Sequence, residues 1–381
     1  MKITTIKVHA ASVPLPVPRI TAHEPLGPAS VILVEVHTDD GPIGYGQIHG
    51  GPAKEICMWI ERFAEIIRGM DALGHLAVWE KLFSLTHPRP NGMFAKDGLP
   101  GPLPRAARPQ IMAAIGGIDI ALWDIKGKAA GLPVYRLLGG ENRPVLAYAT
   151  GGYYLEGAPL DACAKEMGSY VADKGYGAVK LKVGGIAMKD DVTRVSLTRE
   201  AIGKDAILLL DLSAAYDIDE CIAFARQVEP FDIFWLEEPL HWHLQPADFH
   251  LLSTTTLIPL AHCERELTRF TVRDFITSGG VRYVQFDSTR HAGFTESLRI
   301  AVLAEQLGAR IAPHQVPEIH AHLCAAFPSA SFGVESNGTP DPMWAGMYKH
   351  RAQIRAGYVH LDDKPGFGIE IDWHFIARHR V

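Results

Sequence analysis

Residues 178–212 read AVKLKVGGIAMKDDVTRVSLTREAIGKDAILLLDL and contain the unit that repeats along the second part of the chain. Two short apolar runs, at 178–183 and 207–212, flank a charged segment with helical character. A strand, a helix and a further strand in this order form a parallel βαβ unit. The stretch therefore predicts an α/β fold built on a parallel sheet.

The same alternation extends on both sides of this stretch. After residue 144 there are eight such runs, at 145–150, 178–183, 207–212, 233–237, 258–262, 283–287, 309–313 and 331–335. Their spacing agrees with the roughly 250 residues that eight βα units occupy in a closed barrel. No GxGxxG follows the first run, which disfavours a dinucleotide-binding fold. We expect an eight-stranded (β/α) barrel.

The first part of the chain has a different pattern. Alternating residues at 3–13, 30–37 and 43–47 predict a small antiparallel meander. Helical spacing follows at 53–83 and at 110–130, and the second segment ends at Gly-Leu-Pro, a sequence typical of a helix terminus. We expect an α+β domain over residues 1–130 and a barrel over residues 131–350.

A segment rich in proline and glycine separates the two helical regions of the first domain. Residues 87–109 show no apolar period and are interpreted as a long loop. Long loops in compact proteins often act as lids, so this one is a candidate for covering a binding site.

Composition narrows the class of protein. The 381 residues carry a formal net charge of −6 with Lys and Arg spread along the chain, which argues against nucleic acid or an anionic membrane as a partner. The start of the chain lacks the apolar run of a signal peptide, and no run is long enough to span a bilayer. Five cysteines lie far apart without a CxxC pair. We expect a cytoplasmic protein without a disulfide framework.

Acidic residues close three consecutive strands of the predicted barrel: Asp211, Glu237 and Glu264. Active sites of such barrels form at the carboxyl ends of the strands, so these carboxylates should lie side by side. Taken singly, each could be a helix cap or a turn residue. Together they would repel one another unless an oxygen-preferring cation such as Mg²⁺ lay between them, and the lack of a cysteine ligand argues against zinc.

Lys180 and Lys182 stand two apart on one strand, so both side chains should point into the barrel. Two neighbouring ammonium groups depress each other's pKa, which would prepare a lysine to accept a proton near neutral pH. The alternative is a lysine pair that reaches the barrel rim through its aliphatic stems. The residues alone leave both interpretations open.

Strand ends on the other side of the barrel carry Asp287, His314 and Glu335. Asp287 and His314 close neighbouring strands and could form a hydrogen bond that fixes the imidazole tautomer. His314 could instead cap a helix or support another residue. For Glu335, a structural salt bridge competes with a role as an acid that contacts the substrate.

The order of these residues resembles the mandelate racemase subgroup of the enolase superfamily. The matching elements are Lys-x-Lys, Asp, Glu-Glu-Pro, Glu, Asp, His and Glu on successive strands, and further agreement lies at 118–128, 137–140, 268–270 and 293–296. The resemblance covers nearly the whole chain. It implies an α/β fold with a modified (β/α)8 TIM barrel and an N-terminal α+β capping domain, with residues 351–381 packing back on the cap.

The resemblance also implies roles for individual residues. Three carboxylates would bind Mg²⁺: Asp211, Glu237 and Glu264. Lys182 would be one base, and His314 with Asp287 the other. Lys180 would contact the substrate carboxylate and tune Lys182, whereas Glu335 would hydrogen-bond to an enediolate. The use of a Lys or His base with Mg²⁺ is general in this superfamily.

The expected activity is dehydration of a sugar acid, with loss of the proton next to the carboxylate and of the β-hydroxyl group. Racemisation, epimerisation or lactone cycloisomerisation on the same bases is the alternative, and a non-catalytic binding protein is the alternative from another class. The partner is then a small carboxylate, and we expect a homo-oligomer. Residues 14–26 and 91–102 should close over the substrate. Departures from the family pattern at Ser213, at Cys263 and at 291–293 leave the substrate open.

Overall fold

The computed structural model describes residues 1–89, 91, 94, 96, 98–101 and 103–381. The strands are β1 Ile3–Val13, β2 Ala29–Thr38, β3 Gly44–His49, β4 Val145–Gly151, β5 Ala178–Lys182, β6 Ile207–Asp211, β7 Ile233–Glu237, β8 Leu260–His262, β9 Val281–Val284, β10 Arg310–Ile311, β11 Val334–Asn337, β12 Tyr348–His350, β13 Gln353–Arg355, β14 Tyr358–His360 and β15 Glu370–Ile371. The helices are α1 Ala53–Ile67, α2 His75–Ser84, α3 Arg108–Ala130, α4 Val134–Leu137, α5 Ala162–Ala172, α6 Met188–Ile202, α7 Ile218–Val228, α8 Pro246–Thr255, α9 Arg269–Thr277, α10 Gly293–Gln306, α11 Pro317–Ala326, α12 Pro342–Gly346 and α13 Trp373–Arg378. Two 3₁₀ turns lie at Arg105–Ala107 and Glu229–Phe231.

The N-terminal domain is a three-stranded antiparallel sheet, in the order β1-β2-β3, with helices packed on one face. Helix α3 is buried on almost its whole surface because it lies between this sheet and helix α10 of the barrel. Asp119 of α3 accepts hydrogen bonds from the backbone N–H and the hydroxyl of Thr295, at 2.7 and 2.6 Å. Helix α3 therefore joins the cap to the barrel.

The segment with helical spacing at 53–83 forms two helices rather than one. Helix α1 ends at Ile67, and Gly69 follows with a φ of 77°, in the left-handed region that glycine adopts without steric cost. The apolar period continues through this break because both helices bury their faces against the same core. Helix α3 ends as predicted, since Gly131 takes a φ of 65° after its last turn.

The barrel consists of eight parallel strands that correspond to the eight predicted runs. Strands β4 to β10 pair in chain order, and β11 pairs with β4. The ring closes between β10 and the residues before β11, where the N–H of Ile311 donates to the carbonyl of Ala330 at 2.7 Å and the N–H of Phe332 donates to the carbonyl of Ile311 at 2.8 Å. The carboxyl ends of all eight strands therefore meet at one mouth.

The last part of the chain contacts both domains. Strand β14 pairs antiparallel with β4 of the barrel. At the end of the chain, the N–H of Ser12 donates to the carbonyl of His379 at 2.9 Å, and the N–H of Val381 donates to the carbonyl of Ala10 at 3.1 Å. The segment 351–381 thus joins the barrel to the first strand of the cap, and the predicted domain bounds stay a prediction.

In the described part of the chain, no helix combines the length and the apolar character needed to cross a membrane.

Candidate active site

A cavity of about 470 Å³ lies at the mouth of the barrel, between the strand ends and the cap. Five of the predicted site residues line it: Lys182, Asp211, Glu264, Asp287 and His314. The cap contributes residues from the segment between β1 and β2, including Arg19 and His23, and His49 from the end of β3. Residues 14–26 thus border the cavity. The second expected lid, 91–102, lies partly outside the described residues, and its described residues do not line the cavity.

Three predicted site residues lie in a buried layer and do not line this cavity: Lys180, Glu237 and Glu335. Lys180 stands two residues before Lys182 on the same face of β5, about 7 Å deeper in the barrel. Its ammonium group lies 3.2 Å from Asp211 and 2.9 Å from Glu335, and it also forms an ion pair with Glu237. Lys180 therefore satisfies three carboxylates, and its contact with a substrate stays a prediction.

The environment of Lys182 is anionic. Its Nζ lies 2.5 Å from Oδ2 of Asp211 and 3.4 Å from the hydroxyl of Ser213. Burial, the largest single effect, would lower the pKa of Lys182, but Asp211 and the other nearby acidic groups together outweigh burial and raise that pKa above its ordinary value. Lys180 lowers the pKa of Lys182 as predicted, but the net pKa of Lys182 is raised rather than depressed, because the surrounding acidic groups outweigh burial and Lys180 together.

His314 and Asp287 form the expected pair. Nδ1 of His314 lies 2.9 Å from Oδ2 of Asp287, and Nε2 lies 3.3 Å from Oε2 of Glu264. The other oxygen of Asp287 accepts from the backbone N–H and the hydroxyl of Thr289, both at 2.8 Å. Burial would raise the pKa of Asp287, but the hydrogen bond with His314 and the charge of Arg290 hold it well below its ordinary value. An ionised Asp287 therefore orients the imidazole.

The barrel mouth buries more carboxyl groups than cationic groups. Six carboxylates are buried there: Asp211, Glu237, Glu238, Glu264, Asp287 and Glu335. Three largely buried cations contact them: Lys180, Lys182 and Arg290. Buried charge is unfavourable unless it is compensated. Carboxylate oxygens are the ligands that a hard divalent cation prefers, so the donor set fits Mg²⁺.

The carboxylates do not form a finished metal site as the side chains stand. Within the described ranges, no group of three or more His, Cys, Asp or Glu side chains is arranged to hold a metal ion. Lysine and arginine groups hold the predicted ligands instead, as in the contact of Arg290 with Glu264 at 2.8 Å. The roles of Asp211, Glu237 and Glu264 as ligands stay predictions.

Sequence reasoning missed several residues of the cavity. Glu238 lines it, and burial together with the neighbouring Glu264 raises the pKa of Glu238 to about 8. Glu238 belongs to the Glu-Glu-Pro motif, but in a regular strand it would point away from the side that Glu237 faces. It lies just after the strand, with a φ of 39°, and this change of backbone direction could not be predicted from the strand pattern. Arg290 follows Asp287 by three residues in the turn after β9, and His49 comes from the cap. No sequence motif indicated that Arg290 or His49 would line the cavity.

Comparison with known proteins gives a family that covers most of the chain. The family model for the mandelate racemase / muconate lactonizing enzyme N-terminal domain matches residues 3–139, and the enolase C-terminal domain-like model matches residues 162–375. An arabinonate dehydratase of Saccharolobus solfataricus is 28% identical over 354 residues, which are 90% of this chain and 89% of that protein. A D-galactarolactone cycloisomerase of Agrobacterium fabrum is 29% identical over 395 residues, covering 100% of this chain and 99% of that protein.

A solved structure agrees with this relationship. The L-talarate/galactarate dehydratase from Salmonella typhimurium LT2, liganded with Mg and L-lyxarohydroxamate, superposes with a TM-score of 0.85 at 27% identity, over 100% of this chain and 93% of that one. The capping domain and the (β/α)8 barrel described above are therefore those of a known fold. The chain belongs to the mandelate racemase/muconate lactonizing enzyme family of the enolase superfamily.

Proposed function

We propose that this protein is a Mg²⁺-dependent sugar-acid dehydratase, a hydro-lyase that forms a 2-keto-3-deoxy acid. The observation that carries the proposal is a single cavity that holds Lys182 from one strand and the His314–Asp287 pair from two others, beside a cluster of carboxylates. Two proton-transferring groups on non-adjacent strands can act on two atoms of one substrate. Dehydration requires this, because one proton leaves carbon and another goes to the departing hydroxyl group.

Different residues of the cavity carry out the two proton transfers of the reaction. One of His314 and Lys182 removes the proton next to the carboxylate, and a proton from the other or the same group lets the β-hydroxyl leave as water. Lys182 can act as a base only when Asp211 has another partner, since that carboxylate holds the lysine in its charged form. Asp211, Glu237 and Glu264 would hold Mg²⁺, which would supply positive charge to stabilise the negative charge that develops on the substrate as the proton leaves.

The relatives support this choice of reaction. The arabinonate dehydratase and the L-talarate/galactarate dehydratase both act on polyhydroxy acids by name, and the latter structure contains Mg. The D-galactarolactone cycloisomerase supports the second candidate, an isomerase that uses the same bases without loss of water. Dehydration and isomerisation share the proton transfer at carbon, so the same cavity residues could catalyse either reaction.

The test is turnover of a panel of aldonic and aldaric acids with Mg²⁺ in D₂O, followed by NMR and by a keto-acid assay. We expect keto-acid formation from at least one acid, and its loss when EDTA removes divalent cations. Deuterium at the carbon next to the carboxylate without a keto acid would favour racemisation, and lactone interconversion would favour cycloisomerisation. No reaction of any acid would contradict an enzymatic role and favour a binding protein.

Variants then test the assigned bases. Lys182→Ala and His314→Ala should each lower kcat by about 10²- to 10⁴-fold, the range for loss of a positioned acid or base. Lys165→Ala is the matched control, since its side chain is 73% exposed and pairs only with Asp161 in the described structure. Full activity in both cavity variants would contradict the assignment of Lys182 and His314 as the proton-transferring groups.

A further inference from the structure

A buried ion pair, which the proposed mechanism does not use, lies beside the strand that carries Lys182. Asp191 and Arg194 stand three residues apart near the start of α6, in the charged segment that follows β5. They are 0% and 4% exposed, and Nη1 of Arg194 lies 2.7 Å from Oδ1 of Asp191. A buried ion pair often adds little stability, because the loss of water from both charges offsets their attraction. Stability alone therefore does not explain this pair.

Arg194 binds the ends of two neighbouring barrel strands. Its Nη1 also donates to the carbonyl of Lys182 at 2.9 Å, and its Nη2 donates to the carbonyl of Gly152, just after β4, at 2.5 Å. Gly152 is followed by Tyr153, which lines the cavity and has its ring centre 5.8 Å from Nζ of Lys182. One guanidinium group therefore fixes the backbone of the lysine and of the strand beside it.

Asp191 holds the turn that follows Lys182. Its Oδ2 accepts from the backbone N–H of Gly184 at 2.9 Å, and its Oδ1 accepts from the hydroxyl of Tyr154 at 2.7 Å. The oxygen of that hydroxyl accepts from the backbone N–H of Gly185 at 2.8 Å. Asp191 does not line the cavity, and neither does Arg194. The pair thus acts on the backbone around Lys182 without lining the space that a substrate would occupy.

We infer that the Asp191–Arg194 pair positions Lys182 for proton transfer. Nζ of Lys182 lies 2.5 Å from Asp211, so the side chain has to leave this carboxylate before it can accept a proton from the substrate. Its flexible four-carbon stem permits that movement, and a fixed backbone limits the positions that the ammonium group can reach. A displacement of about 1 Å in a reacting group can lower the rate about 10²-fold. The inference rests on the proposed function, and it makes Arg194 a positioning residue.

The experiment compares Arg194→Met and Arg194→Lys with the wild type on the best acid of the panel, at a temperature where circular dichroism shows each protein to be folded. For Arg194→Met we expect kcat to fall about 10- to 100-fold and KM to change less than about three-fold, because a misplaced base weakens the transition state rather than substrate binding. Arg194→Lys keeps a cation but loses the two-pronged geometry, so it should recover only part of kcat. In a Lys182→Ala background, Arg194→Met should have little further effect, since residues that act as one unit are not additive.

Arg269→Met is the matched control for the loss of an ion pair in the barrel. Arg269 donates at 2.6 Å to Glu296, which is fully buried, and neither residue lines the cavity. This variant should lower the melting temperature and leave kcat unchanged.

Three results would overturn the inference alone: a wild-type kcat in folded Arg194→Met, an equal loss of kcat in Arg269→Met, or an undiminished effect of Arg194→Met in the Lys182→Ala background. If Arg194→Met does not fold, Arg194→Lys replaces it, and a wild-type kcat in that variant would overturn the inference. A wild type that neither dehydrates nor exchanges any acid would overturn the proposed function and this inference with it.

Discussion

His291 has a fully buried ring that packs 5.6 Å from Phe286, centroid to centroid. Neither of its ring nitrogens has a hydrogen-bond partner among the described residues. A buried polar group without a partner costs about 1–3 kcal/mol of stability. Burial also lowers the pKa of His291 to about 3, so the ring stays neutral in the folded protein at pH values where a free histidine is protonated.

His291→Leu should therefore stabilise the protein, by about 1 kcal/mol at pH 7.5, because a side chain of similar size replaces an unsatisfied one. The advantage should grow as the pH falls from about 6.5 towards 3, by up to about 1.4 kcal/mol per pH unit. In that window the unfolded wild type takes up a proton that the folded state does not, so the wild type loses stability. Urea unfolding of both proteins at pH 7.5 and 5 measures the effect, with His250→Leu, an exposed position, as the control. A constant difference at the two pH values would contradict the buried neutral ring.

At this scale the sequence predicted positions better than charge states. The strand periods brought Asp211, Glu264, Asp287, His314 and Lys182 to one cavity, because the register of a barrel fixes which residues share its mouth. The pKa of Lys182 could not be predicted, since it depends on the 2.5 Å contact with Asp211 rather than on sequence spacing. The positive φ of 97° at Cys263 could not be predicted either, although Cys263 departs from the family pattern.

At the scale of elements, β3 and α3 approach so closely that only glycine fits between them. A Cβ at Gly44 would lie 2.1 Å from the carbonyl oxygen of Ala121, and one at Gly46 would lie 2.0 Å from that of Gly117. Both distances are far below van der Waals contact, and backbone atoms cannot move aside as a flexible side chain does. This packing sets the position of β3 and hence of His49 at its end.

Gly46→Ala should destabilise the protein by about 3 kcal/mol, the upper end of the usual range for overpacking a core. It should also raise KM, because the displaced strand carries His49 into the cavity. Gly177→Ala provides the control, since a Cβ there meets nothing within 4 Å and its φ needs no glycine. Thermal unfolding and steady-state kinetics measure the two effects; a Gly46→Ala protein as stable as the control would mean that the strand and helix can separate without cost.

The elements with a strong period were the ones that could be predicted. The meander, helix α3 and the eight barrel strands follow from alternation or from helical spacing over many residues. The break between α1 and α2 was missed, because the apolar period runs across it. Strands β12 to β15 are two or three residues long, too short for a period, and they exist through pairing with distant segments such as β4.

On the scale of the whole molecule, a single buried carboxylate connects three parts of the chain. Glu318 lies on α11 of the barrel and accepts hydrogen bonds from Gln47 of the cap and from Trp344 and Tyr348, which follow the last barrel strand. These three donors lie up to 301 residues apart in sequence. No sequence pattern could have revealed this network, because each member is an ordinary helix or strand residue and only the fold brings them together.

Glu318→Leu should leave these buried donors without an acceptor, at a cost of about 1–3 kcal/mol for each one that water cannot reach. We expect a total loss of about 3 kcal/mol or more in the free energy of unfolding, whereas Glu318→Gln, which keeps a carbonyl oxygen, should lose less than half of that. Because the network joins cap to barrel, urea transitions followed by tryptophan fluorescence and by far-UV circular dichroism should coincide in the wild type and separate in Glu318→Leu. If Glu318→Leu unfolds in one transition with wild-type stability, Glu318 does not hold the cap to the barrel.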